Sequence, residues 1–461
     1  MSSNEQKKTR TKMPGLTSTS LIFVCILLAV ILTYIIPAGS FSSAESQSGV
    51  VLDSYAHTEQ TPVHIWRLPE LIIRSFQENA SVILAFFFVG GSVSIMVETG
   101  ALQSVVMRLL ARLKTPLAVL VSFTIFFIVI SLNIATRYLI SFVPFMIAFA
   151  CSLGYDAITG MSIVLLGGAM SYCTSPTGLI TLTAQSYVGL PPLSGADFRW
   201  VCLLCLAVPT ITYLCVYAER VRKAPERSIL RQMGINPSAE RIFPESGSAP
   251  SGRDILSVGL YIISIGCCVY FGSKNALTTI RMSSIFLVSG AIVAYLNRVP
   301  LNNIIDHYIS ASSRFFMPAA VVGLAGTIAL VLNSGGITDT IIYVLASKLQ
   351  YAPDFLKAPL IFLIQLLINC AIVPGSGQAA ITMPLLGPVA ELAGLPLQSA
   401  VLAFNFGDGL GDFILPYSSV LISYLAIGNI PFKAWLKYIW KLFAIWVFAA
   451  CVLMYISTAV W

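Results

Sequence analysis

Apolar positions run along this chain in long blocks, and the polar residues fall between the blocks or interrupt them at a few places. Residues 21–36 and 81–97 each form one apolar run, and further runs cover 254–271, 283–297, 316–333 and 438–458. A helix needs about 20 largely apolar residues to cross a bilayer, so each of these reads as a membrane span. Two pairs of shorter runs break the pattern. Residues 117–130 and 138–150 flank the polar kink Ser131-Leu132-Asn133-Ile134-Ala135-Thr136-Arg137. Residues 360–372 and 379–389 flank Val373-Pro374-Gly375-Ser376-Gly377-Gln378. Each limb is too short for a full span, so each pair predicts a re-entrant hairpin with its tip inside the membrane. Freed backbone groups at that depth are tolerated only where they line a polar cavity. Two other runs, 157–188 and 397–426, are too long for one straight helix. The first is interrupted at Cys173-Thr174-Ser175-Pro176-Thr177-Gly178, the second at Gly407-Asp408-Gly409-Leu410-Gly411-Asp412 and again at Pro416-Tyr417-Ser418-Ser419. These predict two broken transmembrane helices.

The punctuation repeats. Pro144, Gly154, Gly167 and Pro176 recur as Pro384, Gly394, Gly407 and Pro416, each 240 residues on, and Glu98-Thr99-Gly100-Ala101-Leu102 matches Asn333-Ser334-Gly335-Gly336-Ile337 at 235. Charge placement gives the orientation, because basic residues gather in cytoplasmic loops. Lys7, Lys8, Arg10 and Lys12 hold the N-terminus inside; no cleavage site follows, so the first span is a retained anchor. Residues 37–80 hold five acids against Arg67 and Arg74 and belong outside. Arg108, Arg112 and Lys114 mark an amphipathic arm at the inner surface, and Lys433, Lys437 and Lys441 start the last span inside, which leaves the C-terminus periplasmic. Glu98 then ends a span on the cytoplasmic face and Asn333 one on the outer face, so the repeat is inverted. Inverted repeats characterise many secondary transporters, with the substrate site at the repeat interface near the midplane. The expected organisation is a cytoplasmic tail (1–18), a first membrane repeat (19–218), a cytoplasmic linker (219–253), an extra span with an outer loop (254–282) and a second, inverted repeat (283–461). The expected fold is an all-α polytopic membrane protein, with about nine full spans by length.

Composition agrees: 57% of the 461 residues are apolar and 10% charged. A soluble domain carries about 25% charged residues. That excludes a soluble enzyme and a nucleic-acid binder; the excess of 27 basic over 20 acidic residues is mostly topology. The ten cysteines sit mainly in apolar runs, and Cys202-Leu203-Leu204-Cys205 lies in one of them, where thiols act as small hydrophobes. His57, His64 and His307 are scattered. No metal site or cofactor is expected, apart from a coupling Na⁺ or H⁺.

Arg137, Asp408 and Asp412 fall in the interruptions, and an ionisable residue inside the bilayer marks function by default. The guanidinium of Arg137 suits a substrate carboxylate. Asp408 and Asp412 suit a coupling ion, with Na⁺ placed near Gly375, Gly377, Asp408 and Asp412, or a substrate ammonium. The alternative is that Arg137 pairs with one aspartate. Asn133, Thr136, Arg137, Ser175 and Thr177 are expected to line the site from the first half, and Ser376, Gln378, Asn405 and Ser418 from the second.

Several strings carry a resemblance: Gly375-Ser376-Gly377-Gln378-Ala379-Ala380-Ile381-Thr382-Met383-Pro384, Ala403-Phe404-Asn405-Phe406-Gly407-Asp408-Gly409, Tyr34-Ile35-Ile36-Pro37-Ala38-Gly39, Glu98-Thr99-Gly100-Ala101 and Gly154-Tyr155-Asp156-Ala157-Ile158-Thr159-Gly160. Together they resemble the YfcC-like branch of the anaerobic four-carbon-dicarboxylate carriers, within the ion-transporter superfamily. The resemblance covers nearly the whole chain outside the linker. It implies a secondary carrier of organic acids or amino acids in a bacterial inner membrane, homodimeric, moving its transport domain as an elevator. Two positions depart from the family pattern. Thr136 and Arg137 stand where the first tip usually carries adjacent glutamates, and Asp412 stands where the second break usually has asparagine. A basic tip favours a carboxylate-bearing solute, such as a dicarboxylate or a zwitterion, over a basic amino acid.

Other classes remain open to test. A basic amino-acid antiporter keeps the architecture and changes the cargo. Gly409-Leu410-Gly411-Asp412 with Tyr155-Asp156 matches the two motifs of intramembrane aspartyl proteases, although the topology places Asp156 far from Asp412. A channel lacks any need for two gated tips, and a non-transporting sensor would explain the altered tips by lost activity. The expected protein is a carrier and not an enzyme.

Overall fold

A computed structural model of the chain describes residues 18–41, 55–101, 115–132, 136–235, 251–273, 278–347, 349–370 and 375–461. The arm with Arg108, Arg112 and Lys114 lies outside them, as do Asn133 and residues 236–250 of the linker. Helix α1 (Ser18–Ile35) leads into a two-stranded antiparallel hairpin, β1 (Gly39–Phe41) and β2 (Tyr55–His57), with Gly39 opposite His57. Then follow α2 (Leu68–Glu78), α3 (Ala80–Glu98), α4 (Pro116–Ser131), a 3₁₀ segment (Thr136–Phe142), α5 (Val143–Ser152), α6 (Ala157–Thr174), α7 (Leu179–Tyr187) and α8 (Ala196–Lys223). After the linker come α9 (Gly252–Ser273), α10 (Thr279–Leu296), α11 (Leu301–Ser334), α12 (Thr338–Ser347), α13 (Asp354–Asn369), α14 (Gly375–Leu392), α15 (Leu397–Gly411), α16 (Ser419–Ile427) and α17 (Phe432–Val460).

The repeat is visible in this order. The pair α6 and α7 is matched by α15 and α16, whose first residues lie 240 positions later. Left-handed glycines recur at Gly154 (φ 84°) and Gly394 (φ 77°), where a residue without Cβ lets the chain turn into the next helix. They recur again at Gly100 (φ 73°) and Gly336 (φ 65°), which corrects the sequence match there by one residue. Gly167 and Gly407 mark one shared event. A Cβ at Gly167 would meet Phe127 Cβ at 2.8 Å, and one at Gly407 would meet Gln365 Cβ at 2.5 Å. Both glycines let a long helix, α6 or α15, cross closely over an earlier helix of its own repeat, α4 or α13. Small residues serve helix contacts in a membrane this way.

The helices pack as two groups. One holds α1, α2, α3, α9, α10 and α11, centred on the contact between α3 and α11. The other holds α4–α8 and α13–α17, with α6 and α15 at its centre. In the second group α14 packs on α7, while α5 touches α16, so short helices of each repeat support those of the other. Helix α6 is 94% buried within the protein, whereas α8 and α17 bury 39% and 28% of their apolar windows and turn the rest outward. The groups meet chiefly where α11 packs on α16.

Two boundaries differ from the sequence expectation. Gly375–Gln378 form the first turn of α14 and are not a tip loop. Helix α15 continues through Gly407–Gly411, and the break falls at 412–418. Its three glycines are held helical because neighbouring helices press into them, as described below. The linker also begins ordered: α8 runs to Lys223, and a short turn at Ile229–Gln232 buries Ile229 and Leu230.

Candidate functional site

The two broken helices cross at their breaks. A Cβ at Gly409 of α15 would lie 2.7 Å from Cys173 Cα on α6. Just beyond Cys173, Ser175 takes a left-handed backbone (φ 42°, ψ 58°) that ends α6. Non-glycine residues are held there only when their surroundings over-determine them. Here Ser175 N–H donates to Ser171 O (2.7 Å), and Thr181 Oγ1 lies 2.9 Å from Ser175 O.

Every residue of α15 from Gln398 to Gly411 is buried, including Asn405 and Asp408, and Asp412 follows with 6% exposure. Asp408 and Asp412 lie four residues apart, hence on one helix face. Tyr172 Oη donates to Asp408 Oδ2 (2.6 Å) and Asn369 Nδ2 donates to Asp408 Oδ1 (3.1 Å). Asn369 Nδ2 also donates to Gln378 Oε1 (3.2 Å). Gln378 Nε2 donates to Gln365 Oε1 (2.9 Å) and Gln365 O (3.0 Å), Gln365 Nε2 to Thr382 Oγ1 (3.2 Å), and Thr382 Oγ1 to Gln378 O (2.8 Å). Both α13 and α14 are thereby tied to Asp408. Asp412 lies beside Asn369 and Ser418. Ser418 caps α16, its Oγ accepting from Leu421 N–H (3.5 Å).

Three further expected residues are placed around this core. Thr136 is buried against α6, since a Cβ at Gly168 would touch its Cγ2 at 2.7 Å, and its carbonyl accepts from Tyr424 Oη (2.7 Å). Ser175 reaches α15 indirectly through Thr181, whose hydroxyl bonds Asn405. Thr177 is exposed and donates to Leu132 O (3.3 Å). Arg137 lies in the 3₁₀ segment and Ser376 in the first turn of α14; their side chains, like Asn133, lie outside the described residues.

Sequence reasoning missed Tyr172, Asn369 and Gln365, which were available as a signal: two amides four apart in an otherwise apolar limb. It also missed Arg199. This guanidinium is fully buried at the start of α8. Asn405 is oriented so that its oxygen accepts from Arg199 Nη1 (3.1 Å) and Thr181 Oγ1 (2.5 Å) while its nitrogen donates to Val401 O (3.1 Å). Arg199 Nη2 donates to Gln398 Oε1 (3.4 Å). A polar stripe of Gln398, Asn405, Asp408 and Asp412 therefore runs down α15, basic at one end and acidic at the other.

The protease pairing is not assembled. Asp156 is the N-cap of α6, accepting from Thr159 N–H (2.9 Å), Thr159 Oγ1 (2.8 Å), Tyr217 Oη (2.6 Å) and Ser228 Oγ (2.7 Å). It lies about 26 Å along α6 from Cys173, at 1.5 Å per residue. No cluster of three or more metal-ligating side chains occurs among the described residues.

The sequence model of the family described as DcuC, C4-dicarboxylate anaerobic carrier, matches residues 16–459. The chain belongs to this family. It is 26% identical to the protein of Escherichia coli (strain K12) named "Putative basic amino acid antiporter YfcC", over 94% of each chain. It is 23% identical, over 95% of each chain, to an uncharacterized protein of Haemophilus influenzae. Among solved structures it is similar to the Alcanivorax borkumensis YdaH transporter (TM-score 0.44, 13% identity, covering 95% of this chain and 98% of that one). It is likewise similar to Neisseria gonorrhoeae MtrF, described as illuminating a class of antimetabolite efflux pumps (TM-score 0.43, 14% identity, covering 98% and 96%). The protein is a helical membrane transporter.

Proposed function

We propose that the chain is a secondary active carrier, of the elevator type, for a small carboxylate-bearing solute. The observation that carries this reading is the crossing of the two breaks beside the buried Asp408 and Asp412. The repeats are inverted, each hairpin is re-entrant, and the group around α6 and α15 is the transport body moving against the α3–α11 body. The α5 arm, 10 residues long, spans only about 15 Å of a roughly 30 Å hydrocarbon core, which suits a tip ending mid-membrane. Asp408 and Asp412 hold the coupling ion, Na⁺ or H⁺, and Arg137 clamps the solute carboxylate. The protein works as a homodimer in a bacterial inner membrane, N-terminus cytoplasmic and C-terminus periplasmic.

A second reading has a specific support: the buried acidic pair suits an ammonium group, and the relative from Escherichia coli is named a putative basic amino acid antiporter. Counterflow in proteoliposomes separates the two. Labelled succinate, glutamate, alanine and arginine are offered to vesicles loaded with the same solutes. Exchange of a dicarboxylate or zwitterion, abolished by Arg137→Ala and kept by Arg108→Ala, is expected. Exchange of arginine alone, untouched by Arg137→Ala, would replace the carboxylate clamp with the basic antiporter.

A further inference from the structure

Helix α17 carries no acidic residue, and its residues 442–460 carry no charge at all. That uncharged stretch is about 28 Å long at 1.5 Å per residue, close to the roughly 30 Å hydrocarbon core. Lys441 therefore stands at the edge of the core, and Lys437 and Lys433 stand about 6 and 12 Å farther out along the helix. All three lysines are exposed and share the outward face of α17 with Trp440 and Phe448, which are 53% and 72% exposed. The opposite face holds Trp435, Tyr438, Leu442 and Trp446, all buried. Lys441 Nζ lies 5.7 Å from the centroid of the Trp440 ring. Lys437 Nζ donates to Gln232 Oε1 (3.0 Å), a neutral acceptor in the turn that follows α8. Among the described residues, no carboxylate forms a salt bridge with any of the three. Basic residues at the end of a span set its orientation from any side of the helix, so topology alone does not gather them on one face. Helix α8, which packs on α17, shows the contrast: its basic end is partly neutralised within the protein, Arg222 Nη2 bonding Glu219 Oε2 (3.1 Å).

We propose that the start of α17 seats an anionic phospholipid, with its phosphate between Lys437 and Lys441 and an acyl chain along the helix below them. The rise between these two lysines, about 6 Å, matches the thickness of one headgroup layer, about 5–7 Å. A lysine ammonium has three donors. The bond to Gln232 uses one on Lys437 and leaves two for phosphate oxygens. Trp440 stands at the level of the glycerol esters, where the amphipathic indole settles. Trp440, Ala444 and Phe448 follow at four-residue spacing down one exposed face, and the alanine leaves a notch between the two rings that takes the chain. The lysines select the headgroup. A zwitterionic lipid brings its own ammonium to its phosphate, whereas a net negative headgroup such as phosphatidylglycerol gains from all three unneutralised cations. Helix α17 packs on α13 and α15, so the lipid is held by the body around α6 and α15. The assignment needs a chain embedded in a bilayer and no particular transported solute.

The test is a thermal melt of the full chain in detergent, with phosphatidylglycerol or phosphatidylcholine of identical acyl chains added in equal amounts. Phosphatidylglycerol should raise the melting temperature above the phosphatidylcholine value, because it binds the folded state. The difference should shrink between about 50 and about 500 mM NaCl as the lysines are screened. The triple variant Lys433→Gln, Lys437→Gln, Lys441→Gln should lose the difference, while Arg74→Gln, an exposed charge on α2 in the other body, should keep it. Lys441→Gln alone should weaken retention of phosphatidylglycerol about fivefold, read by native mass spectrometry; this reading decides if the triple variant does not fold. Equal stabilisation by the two lipids, an undiminished difference in the triple variant or undiminished retention in Lys441→Gln would overturn the seat. Equal stabilisation by glycerol 3-phosphate would assign the lysines to a free phosphate and overturn it as a lipid site.

Discussion

Replacing Asn369 with leucine removes the residue that joins α13, α14 and α15 while keeping a side chain of the same branching. The structure sets the magnitude. Leucine cannot donate, so Asp408 Oδ1 loses a bond of 3.1 Å and Gln378 Oε1 one of 3.2 Å, both within buried surroundings. A hydrogen bond to a charged group contributes about 1.5–3 kcal/mol and a neutral one about 0.5–1.5. The expected destabilisation from these bonds is therefore about 2–4.5 kcal/mol, to which overpacking by the larger methyl groups adds. Thermal or denaturant unfolding in detergent, followed by tryptophan fluorescence, measures it. The relevant signal is close by, because Trp435 Nε1 donates to Phe413 O (2.9 Å), one residue past Asp412. Gln365→Met, which breaks only neutral bonds in the same network, should cost less than Asn369→Leu. Stability of Asn369→Leu equal to wild type would refute the claim that this amide holds the acidic pair in place.

Other perturbations follow from single contacts. Gly409→Ala should open the crossing of α6 and α15, since its Cβ would stand 2.7 Å from Cys173 Cα, where 3.4–4 Å is ordinary contact. Overpacking of this kind costs about 1–3 kcal/mol, and Gly266→Ala on α9, which meets nothing within 4 Å, serves as the unaffected comparison in the same melt. Asp156→Ala removes the N-cap of α6 and strands the hydroxyls of Tyr217 and Ser228. Loss of the cap alone costs about 0.5–2 kcal/mol, and trypsin should cut faster at Arg227 and Arg231; an unchanged cleavage rate would mean that the linker start is held by Ile229 and Leu230 alone. Tyr172→Phe should depress exchange more than it depresses folding, because it removes one donor to Asp408 and leaves the ring in place; exchange at the wild-type rate would show that Asp408 does not need it.

Much of the architecture was legible in the sequence because membrane constraints write themselves into it. Apolar run length gave the elements, and recurrent Gly and Pro gave the repeat, since close helix crossings and turns admit few other residues. Gly167 and Gly407 are the clearest instance: both were found by spacing, and both turn out to sit where α6 presses on α4 and α15 on α13. The limits of α14 and α15 were not legible, because glycine in isolation reads as a breaker. Gly407, Gly409 and Gly411 remain helical through the contacts of Gln365, Cys173 and Asn369, which only the assembled fold supplies. The acidic pair stood out by charge against an apolar background. Its partners did not, since Tyr172, Asn369 and Gln365 are neutral and lie 236, 39 and 43 residues from Asp408 in the chain. Arg199 was not singled out in the sequence, yet it is buried and bonded to α15.

The central claim is that the group around α6 and α15 moves as one body against the group around α3 and α11. Spin labels at outward-facing positions test it by paired distance measurements in nanodiscs. Trp200 on α8 and Ile292 on α10 are 42% and 41% exposed and lie in different bodies; Trp200 and Phe448 on α17 lie in the same one. The account predicts that the distance between labels at 200 and 292 shifts between two populations as pH or transported solute is varied, while that between 200 and 448 stays fixed. Constancy of both distances under every condition, or equal change in both, would contradict it.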